Sequence, residues 1–443
     1  MSIIFKIVPI SNDGHCLFLH PKQFKLINET TGTTTISFGL KEMEVTYQQS
    51  DMLSENEIGV TNTIIENLQF PLGVDYEIAI HNGNITIGPF IGILIAKSHA
   101  KLKRKLEKQN RIIEQYPLLN GVIIAFSWED MDHKTETIIG YLYNSSTKKW
   151  EIGTFPFPTV LVKGMVLSKN RIKFLKNLYG SRFFNTNSIN KWKMYQYLSD
   201  NKELLPHLPK TVLYTRPMDI LNGLDRFGTI YVKPIYGLKG IGIMKMVAEP
   251  SRYSIQYRFK QKNKKIYLST ENELLNYVKN HLKKNKYIIQ EQIDSQLQKG
   301  HIIDFRIFLV KNQTGQWENV GMIARKGSKG SIVSNLSNGG RTNKVIKLMA
   351  ETFHVSEAQV LSIQETMSGI AIKAAEEIDK YENIYRHGVD IAIDRHQHIS
   401  LIELNHRYPA FKSSFPKDAV TKIYYSKLSY AKYLAGFPID KEK

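Results

Sequence analysis

The sequence predicts an α/β protein in which a β-rich N-terminal segment precedes alternating strands and helices, and three observations carry the prediction. Residues 1–96 fall into short Thr-, Ile-, Val- and Phe-rich runs such as Thr33–Phe38 and Glu44–Tyr47, which alternate and are separated by Gly, Asn and Asp. Further on, apolar runs of the buried type, Ile91–Ala96 and Val122–Ala125, alternate with helical periodicity, the signature of a compact α/β unit with a largely parallel sheet. Charge divides the chain in the same way: residues 1–96 carry a net −6, residues 97–120 a net +5 and residues 121–443 a net +20.

Length and composition bound the function. A chain of 443 residues with 42% hydrophobic content has room for two to four domains. The overall +19 favours an anionic partner, whether nucleic acid, acidic membrane or anionic substrate. An acidic first quarter argues against a diffuse nucleic-acid coat. The single cysteine, Cys16, excludes an internal disulfide framework and any Cys-based zinc cluster. No run approaches the roughly 18 apolar residues of a membrane span. Met1–Ile10 lacks the basic and long apolar regions of a signal peptide, so a chain made and used inside the cell is expected.

Taken in order, the elements are these. His81-Asn82-Gly83-Asn84 is a hairpin signal. Gly88-Pro89-Phe90 breaks the pattern before the strand Ile91–Ala96. Ser98 to about Leu118 reads as a helix with a basic face (Lys101, Lys103, Arg104, Lys105, Lys108, Arg111), either solvated or anion-binding. Gly121–Phe126 is a strand, and Thr135–Tyr143 with Trp150–Gly153 a hairpin. Lys163–Lys193 carries eight basic residues and no acidic one. A helix starts at Asn190, its cap. Strands follow at Thr229–Pro234 and Gly240–Ala248, a helix at Glu271–Asn285, and strands at Tyr287–Ile293, Ile302–Val310 and Trp317–Arg325. Glu357–Lys380 is the longest helical pattern, and Val389–Ile393 pairs with Ile399–Leu404 across a turn.

Five local patterns bear on chemistry. Lys233 ends a strand ahead of Gly237-Leu238-Lys239-Gly240-Ile241-Gly242, and the alternation after it makes a β-hairpin rather than a helix N-terminus. It is an ordinary Gly-rich hairpin or a flap whose amides approach phosphates. Asp390 and Glu403 sit on adjacent strands, with Asn405 sharing the face of Glu403; such hard oxygen ligands suit Mg²⁺, or they are ordinary acids on a solvated face. In that reading Val389, Ile391, Ile402 and Leu404 occupy the opposite face. Asp304-Phe305-Arg306, with Arg325 one hairpin later, is a surface ion pair or a phosphate clamp. Ser334 to Arg341, including Asn335, Asn338, Gly339 and Gly340, is rich in turn residues and donors. The apolar strand from Tyr287 turns polar at Gln290-Glu291-Gln292-Ile293-Asp294, where it can meet a base edge and a ribose. His396, His398 and His406 lack zinc-ligand spacing and read as surface residues.

The order of these patterns from Lys191 to Asn405 resembles the ATP-grasp superfamily over residues 189–443. The Ser334 to Gly340 stretch is similar to the substrate-side loop of its glutathione synthetase and ribosomal-protein glutamate ligase branch. Ile87-Gly88-Pro89-Phe90-Ile91-Gly92-Ile93-Leu94, and Trp150 through Pro156-Phe157-Pro158-Thr159-Val160, resemble the YheC/YheD endospore coat-associated family. That family tends to carry an Asn/Asp-Arg pair after the Pro-x-Pro stretch, where this chain has Val162-Lys163-Gly164.

The resemblance implies an ATP-grasp fold with a β-rich domain at 1–96, an α/β pre-ATP-grasp domain at 97–188 and an ATP-grasp domain at 189–443. The last divides into a nucleotide lobe at 189–300 and a metal- and acceptor-binding lobe at 301–443. It also implies roles. Lys191 and Lys233 would bind the α- and β-phosphates of ATP, and Gly237, Lys239, Gly240 and Gly242 would close over them. Backbone at Glu291, Gln292 and Ile293 would hold adenine beside Gln290, with Glu291 or Asp294 near the ribose. Asp390, Glu403 and Asn405 would hold one or two Mg²⁺. Arg306 and Arg325 would stabilise the transferring phosphoryl group, and Asn335 with Asn338, Gly339 and Gly340 would face the acceptor. The activity so implied is an ATP-dependent carboxylate–amine ligase linked to spore formation. Alternatives are a spore-coat protein that binds ATP without turnover and an ATP-grasp small-molecule kinase. The partners implied are ATP, a carboxylate and an amine, with an anionic acceptor suggested by the basic stretch. No helix-turn-helix, zinc finger or aromatic platform points to nucleic acid.

Overall fold

The computed structural model describes residues 4–27, 32–109, 113–114, 116–185, 189–237, 240–259, 262–295, 297, 300–332, 334, 341–406 and 417–437. Four sheets organise them.

The N-terminal runs close into a seven-stranded barrel. Ile4–Ile10 pairs on one side with Glu57–Thr61 and on the other with Tyr76–His81, which shuts the sheet on itself. Alternation supplies the inward residues: Thr34, Ile36 and Phe38 are buried along Gly32–Phe38, and Ile85 and Ile87 along Asn84–Gly88. Asn82 and Gly83 both take positive φ, 51° and 81°, which a two-residue hairpin turn of the primed type demands. Phe38 stacks on Phe90 at 4.7 Å, joining the barrel core to the next sheet.

Phe90–Ala96 belongs to that next sheet, a six-stranded one. It pairs in parallel with Val122–Asp132 and Val160–Lys163, and the latter in parallel with Phe183–Phe184. The expected largely parallel sheet is instead mixed, because the hairpin Thr137–Asn144/Lys149–Pro156 adds two antiparallel strands to its edge. Of the helix expected from Ser98 to about Leu118, His99–Leu106 is α-helical and Glu107–Gln109 and Tyr116–Leu118 are 3₁₀ turns, while residues 110–112 and 115 lie outside the described residues. Pro117 works against an α-helix running through that point. Lys101, Lys103 and Arg104 are solvated and Lys105 donates to the Ile95 carbonyl at 2.7 Å.

The two remaining sheets are antiparallel and face each other. The first, in spatial order, is Thr211–Leu213, Tyr287–Glu291, Thr229–Pro234, Met244–Glu249, Arg252–Phe259 and Lys262–Leu268. Helices Met218–Phe227 and Glu271–His281 pack on one of its faces, where Ile220, Leu224, Leu274 and Val278 meet Ile230, Val232 and Ile289. Strand alternation therefore leaves Tyr231, Lys233, Ile288 and Gln290 on the other face. The second sheet runs Arg341–Asn343, Trp317–Lys326, Ile303–Lys311, Arg386–Ile393 and Ile399–Asn405. Its back carries the helices Lys191–Ser199 and Glu357–Asp379, through Met194, Leu198, Met367 and Ala371 against Phe305, Ile307, Val389 and Ile391. Ser356 opens the longer helix with a reciprocal cap to Gln359.

The helix Lys417–Leu434 ties the parts together. Ala419 and Ile423 pack on Phe308 and Val310 of the five-stranded sheet. Leu428, Tyr430 and Ala431 pack among Ile91, Ile93 and Val160 of the mixed sheet. Lys432 forms an ion pair with Glu77 of the barrel, the two side chains being 3% and 1% exposed. No helix among the described residues is long and apolar enough to cross a membrane.

A buried pair stripped of one partner costs about 3–5 kcal/mol. Lys432→Met is therefore expected to lower the thermal midpoint clearly, and Glu77→Gln added to Lys432→Met to restore most of the loss. Calorimetric melts of the three proteins check this, and an unchanged single variant contradicts it.

Candidate active site

A cleft opens between the two antiparallel sheets. Lys191, Lys233, Gln290, Glu291, Ile293, Arg325, Asp390 and Glu403 line it together with apolar walls from Met194, Leu208, Ile243, Ile332, Leu401 and Ile402. A contiguous smaller recess is bounded by Lys191, Gly237, Gly240, Arg306, Asp390, Glu403 and Asn405.

Strand register puts the charges side by side. Asp304 is the cross-strand partner of Arg325, and Arg306 that of Asp390. The expectation of a surface Asp-x-Arg pair fails on this point, because Asp304 and Arg306 each reach across to a neighbouring strand. Arg325 grips Asp304 with two 2.6 Å hydrogen bonds and reaches Asp390 at 3.2 Å. Arg306 grips Asp390 with bonds of 2.7 and 2.8 Å. Asn405 donates to the same carboxylate at 3.1 Å, and Ser334 donates its hydroxyl to Asp304. Burial opposes ionisation of Asp390, but Arg306 and Arg325 together hold its carboxyl below the usual value. Burial likewise disfavours the Arg325 charge, and Asp304 and Asp390 overcome it and raise the guanidinium.

Glu403 is the register partner of Asp390, and Gly388 that of Asn405. Pairing slips between Asp390 and Ile391, so that Leu401 rather than Ile402 lies opposite Ile391. This bulge corrects the alternation expected from sequence: Leu401 and Leu404 join the core, while Ile402 is only half-buried and lines the cleft beside Glu403.

Two lysines face these acids, Lys233 from the opposite wall and Lys191 from the helix packed on the five-stranded sheet. Lys191, first residue of its helix, donates to Glu403 at 2.8 Å and to the Gly237 carbonyl at 3.2 Å. Lys233 donates to Gln290 at 2.5 Å, and Gln290 in turn to the Thr211 hydroxyl at 2.9 Å. Burial lowers the Lys233 ammonium to about 8, with Lys191 adding to the depression and Glu403 and Asp390 opposing it. The Gly segment is a hairpin connection, since Thr229–Pro234 and Met244–Glu249 pair antiparallel, and Gly240 and Gly242 take positive φ of 74° and 77°. The returning strand starts at Met244, later than the expected Gly240.

Other expected site residues fall differently. Glu291 accepts from the Lys210 amide at 2.6 Å while its own amide donates to the Lys210 carbonyl at 3.0 Å. Gln292 lies just past the strand end. Asp294 forms an ion pair with Arg395 and does not line the cleft. Lys239, Asn335, Asn338, Gly339 and Gly340 lie outside the described residues. His398 contacts the Pro206 carbonyl at 3.1 Å, whereas His406 is buried and accepts from the Ile189 amide at 3.2 Å, so the histidines do not cluster. Tyr195, Thr211 and Tyr231 also line the cleft, and neither they nor the apolar walls carry a sequence signal, because an apolar residue facing a cleft looks like any core residue.

The family description "YheC/D like ATP-grasp" matches residues 180–434. The chain belongs to this family. Among relatives of this ATP-grasp protein, the endospore coat-associated protein YheD of Bacillus subtilis (strain 168) is 26% identical over 88% of this chain and 86% of its own length. YheC of the same strain is 20% identical over 66% of this chain and 81% of its own. The tetrahydromethanopterin:alpha-L-glutamate ligase of Methanosarcina acetivorans is 28% identical over 37% of this chain and 44% of its own.

The donor set can be tested against a metal. Two carboxylates and an amide oxygen on paired strands are hard ligands, few enough that a Mg²⁺ ion would complete its shell with water and phosphate. Among the described residues no cluster of three His, Cys, Asp or Glu side chains offers a self-sufficient protein site. The residues present thus fit Mg²⁺ held jointly with a polyphosphate.

Lys233 is charged below about 8 and neutral above it. The native state favours the neutral form, so its burial opposes folding below that value and ceases to do so as pH rises toward 10.5, the ordinary lysine value. Binding of inorganic tripolyphosphate should weaken as pH rises from 7 to 9.5 in the wild type and vary less in Lys233→Met. Calorimetric titration checks this, and equal slopes in both proteins contradict it.

Proposed function

We propose that the protein is an ATP-dependent carboxylate–amine ligase that activates a carboxylate as an acyl phosphate for attack by an amine. The observation that carries the reading is the convergence in one cleft of Lys191, Lys233, Arg306 and Arg325 with Asp304, Asp390 and Glu403, one cation in excess. Such a site suits a highly charged anion in a region shielded from water.

In this reading Lys191 and Lys233 hold the α- and β-phosphates, and the Gly237–Gly242 hairpin with Lys239 closes over them. Tyr231, Ile243 and Ile402 offer flat and branched apolar surface for the adenine, with Gln290 and the Glu291–Ile293 backbone at its edge. The ion pair of Asp294 with Arg395 leaves Glu291 the better placed carboxylate for the ribose. Asp390, Glu403 and Asn405 hold Mg²⁺, which when bound neutralises phosphate charge. Lys191 must release Glu403 for that, and phosphate oxygens give it a new partner. Arg306 and Arg325, aimed by Asp390 and Asp304, offset the repulsion between the attacking carboxylate and the γ-phosphoryl group. Asn335, Asn338, Gly339 and Gly340 face the acceptor. The hairpin keeps water from the acyl phosphate until the amine arrives.

The three-part division expected at 1–96, 97–188 and 189–443 belongs to the same proposal, with its first boundary drawn back to before Phe90, because Phe90–Ala96 pairs inside the mixed sheet. Ligation rather than phosphorylation alone is supported by the name of the Methanosarcina relative, and a spore-associated role by the names of the Bacillus relatives.

The test is product analysis. The purified chain is incubated with Mg·ATP and pools of carboxylates and amines, and products are weighed by mass spectrometry. A condensed amide, with ATP consumption falling about 100-fold or more in Glu403→Gln, is expected. A product heavier by one phosphate selects a kinase, and consumption unchanged in the variant rejects the enzyme reading.

A further inference from the structure

The cleft face of the six-stranded antiparallel sheet does not end at Tyr231. Cross-strand pairing runs from Tyr231 to Lys245, from Lys245 to Gln256 and from Gln256 to Lys265. These four side chains therefore form one row on one face, with Arg258 beside it two residues on from Gln256. Ile255 and Ile266 point the other way, into the core under the helices. Three strand spacings, about 14 Å, separate the ends of the row. Its outer part is the hairpin Arg252–Phe259/Lys262–Leu268, whose second strand is an edge of the sheet. Residues 252–268 hold six Lys or Arg and no Asp or Glu.

A groove separates this hairpin from the loop that follows Trp317–Lys326. Gln256, Asn263, Lys264, Lys265, Gly330 and Ile332 line it, and Ile332 also lines the cleft, so the two are continuous. Asn263 donates to the Gly330 carbonyl at 3.1 Å and ties hairpin to loop. The cations beside the groove are incompletely answered. The Nε of half-buried Arg258 is shut off from solvent and has no hydrogen-bond partner among the described residues. Lys245, also half-buried, makes neither hydrogen bond nor ion pair among them. The acid on the same face, Glu249, is held by Arg252 at 2.7 Å and by Lys265 at 3.2 Å. A guanidinium N–H withdrawn from water without an acceptor is costly, and a carboxylate matches its fork. Lysines that merely guard an edge strand stand in water and need no groove. Nucleic acid would ask for free aromatic faces, whereas Tyr267 is covered by Arg252 at 4.0 Å and Lys265 at 4.6 Å, and Tyr257 packs on the helix side of the sheet.

We propose that this groove docks an acidic polypeptide segment in extended form, its carboxylates on Lys245, Arg258, Lys264 and Lys265, with the chain running toward the cleft. A row of about 14 Å accommodates about four extended residues. The carboxylate substrate is then borne by an acidic chain rather than by a free small molecule. Docking is independent of catalysis, and the substrate role of the docked chain rests on the ligase reading of the cleft.

The probe is fluorescein-labelled decaglutamate, with decaglutamine and a ten-nucleotide oligo(dT) as controls, read by fluorescence anisotropy at about 0.15 M salt. Wild type should bind decaglutamate at least about ten-fold more tightly than either control. Lys245→Gln/Arg258→Gln/Lys265→Gln should lose about ten-fold or more, the sum of three modest ion pairs. Lys101→Gln/Lys103→Gln/Arg104→Gln removes the same charge from the solvated helix face and should lose less than about three-fold. Thermal melts show which variants are folded; should the first fail to fold, the exposed pair Lys264→Gln/Lys265→Gln decides, with an expected loss of about three-fold or more. With Mg·ATP and a pool of amines, decaglutamate and not decaglutamine should gain mass. Decaglutamate that does not bind, an equal loss in both triple variants, or a preference for oligo(dT) overturns the proposal, the last in favour of nucleic acid. Docking with no gain in mass overturns the substrate role. A non-hydrolysable Mg·ATP analogue is titrated separately: its failure to bind removes the ligase reading and leaves docking standing, and its binding without decaglutamate does the reverse.

Discussion

Everything in the cleft is arranged around one buried carboxylate, Asp390, held by the fork of Arg306 with a second hold from Arg325. A carboxylate removed from water needs such partners, and buried guanidiniums need carboxylates in turn. Asp304 answers that second need by clamping Arg325 from the next strand. Three adjacent strands are thereby locked in one register. A slip of one residue would turn every one of these charges into the core behind the sheet. The charge pattern and the fold specify each other.

The opposite wall is built with less internal balance. Lys233 is buried against the amide of Gln290 rather than a carboxylate, and burial outweighs the more distant acids that favour its charge. Functional sites commonly carry this kind of local instability, relieved when the ligand binds. The helix Lys417–Leu434 anchors the barrel through Lys432. That helix touches the sheet bearing the site, the mixed sheet and the barrel, so it couples the stability of all of them to one element.

Local patterns were legible in the sequence and long-range pairings were not. The strand ending in Lys233, the Gly turn after it and the hairpin joining Asp390 to Glu403 each lie within a few residues, where period-two alternation and turn chemistry decide the structure. The Arg306–Asp390 bond spans 84 residues, and only the register of separated strands sets it. The bulge that turns Ile402 toward the cleft is a property of the strand pair, invisible in either strand alone. The helix Lys417–Leu434 went unread for a related reason: it is packed on both sides, so no single apolar stripe marks it. The basic run after Ser98 is α-helical to Leu106 and turns 3₁₀ at Glu107–Gln109.

In the proposed function the carboxylates at Asp390 and Glu403 and the cations around them are one site for a polyphosphate and its metal. Its most direct test is the affinity of a non-hydrolysable ATP analogue, measured calorimetrically with Mg²⁺ and then with the metal chelated, in wild type and in Glu403→Gln. Wild type should bind the analogue at least ten-fold more tightly with Mg²⁺, and the difference should collapse in the variant. Equal affinity with and without metal in wild type would contradict the account.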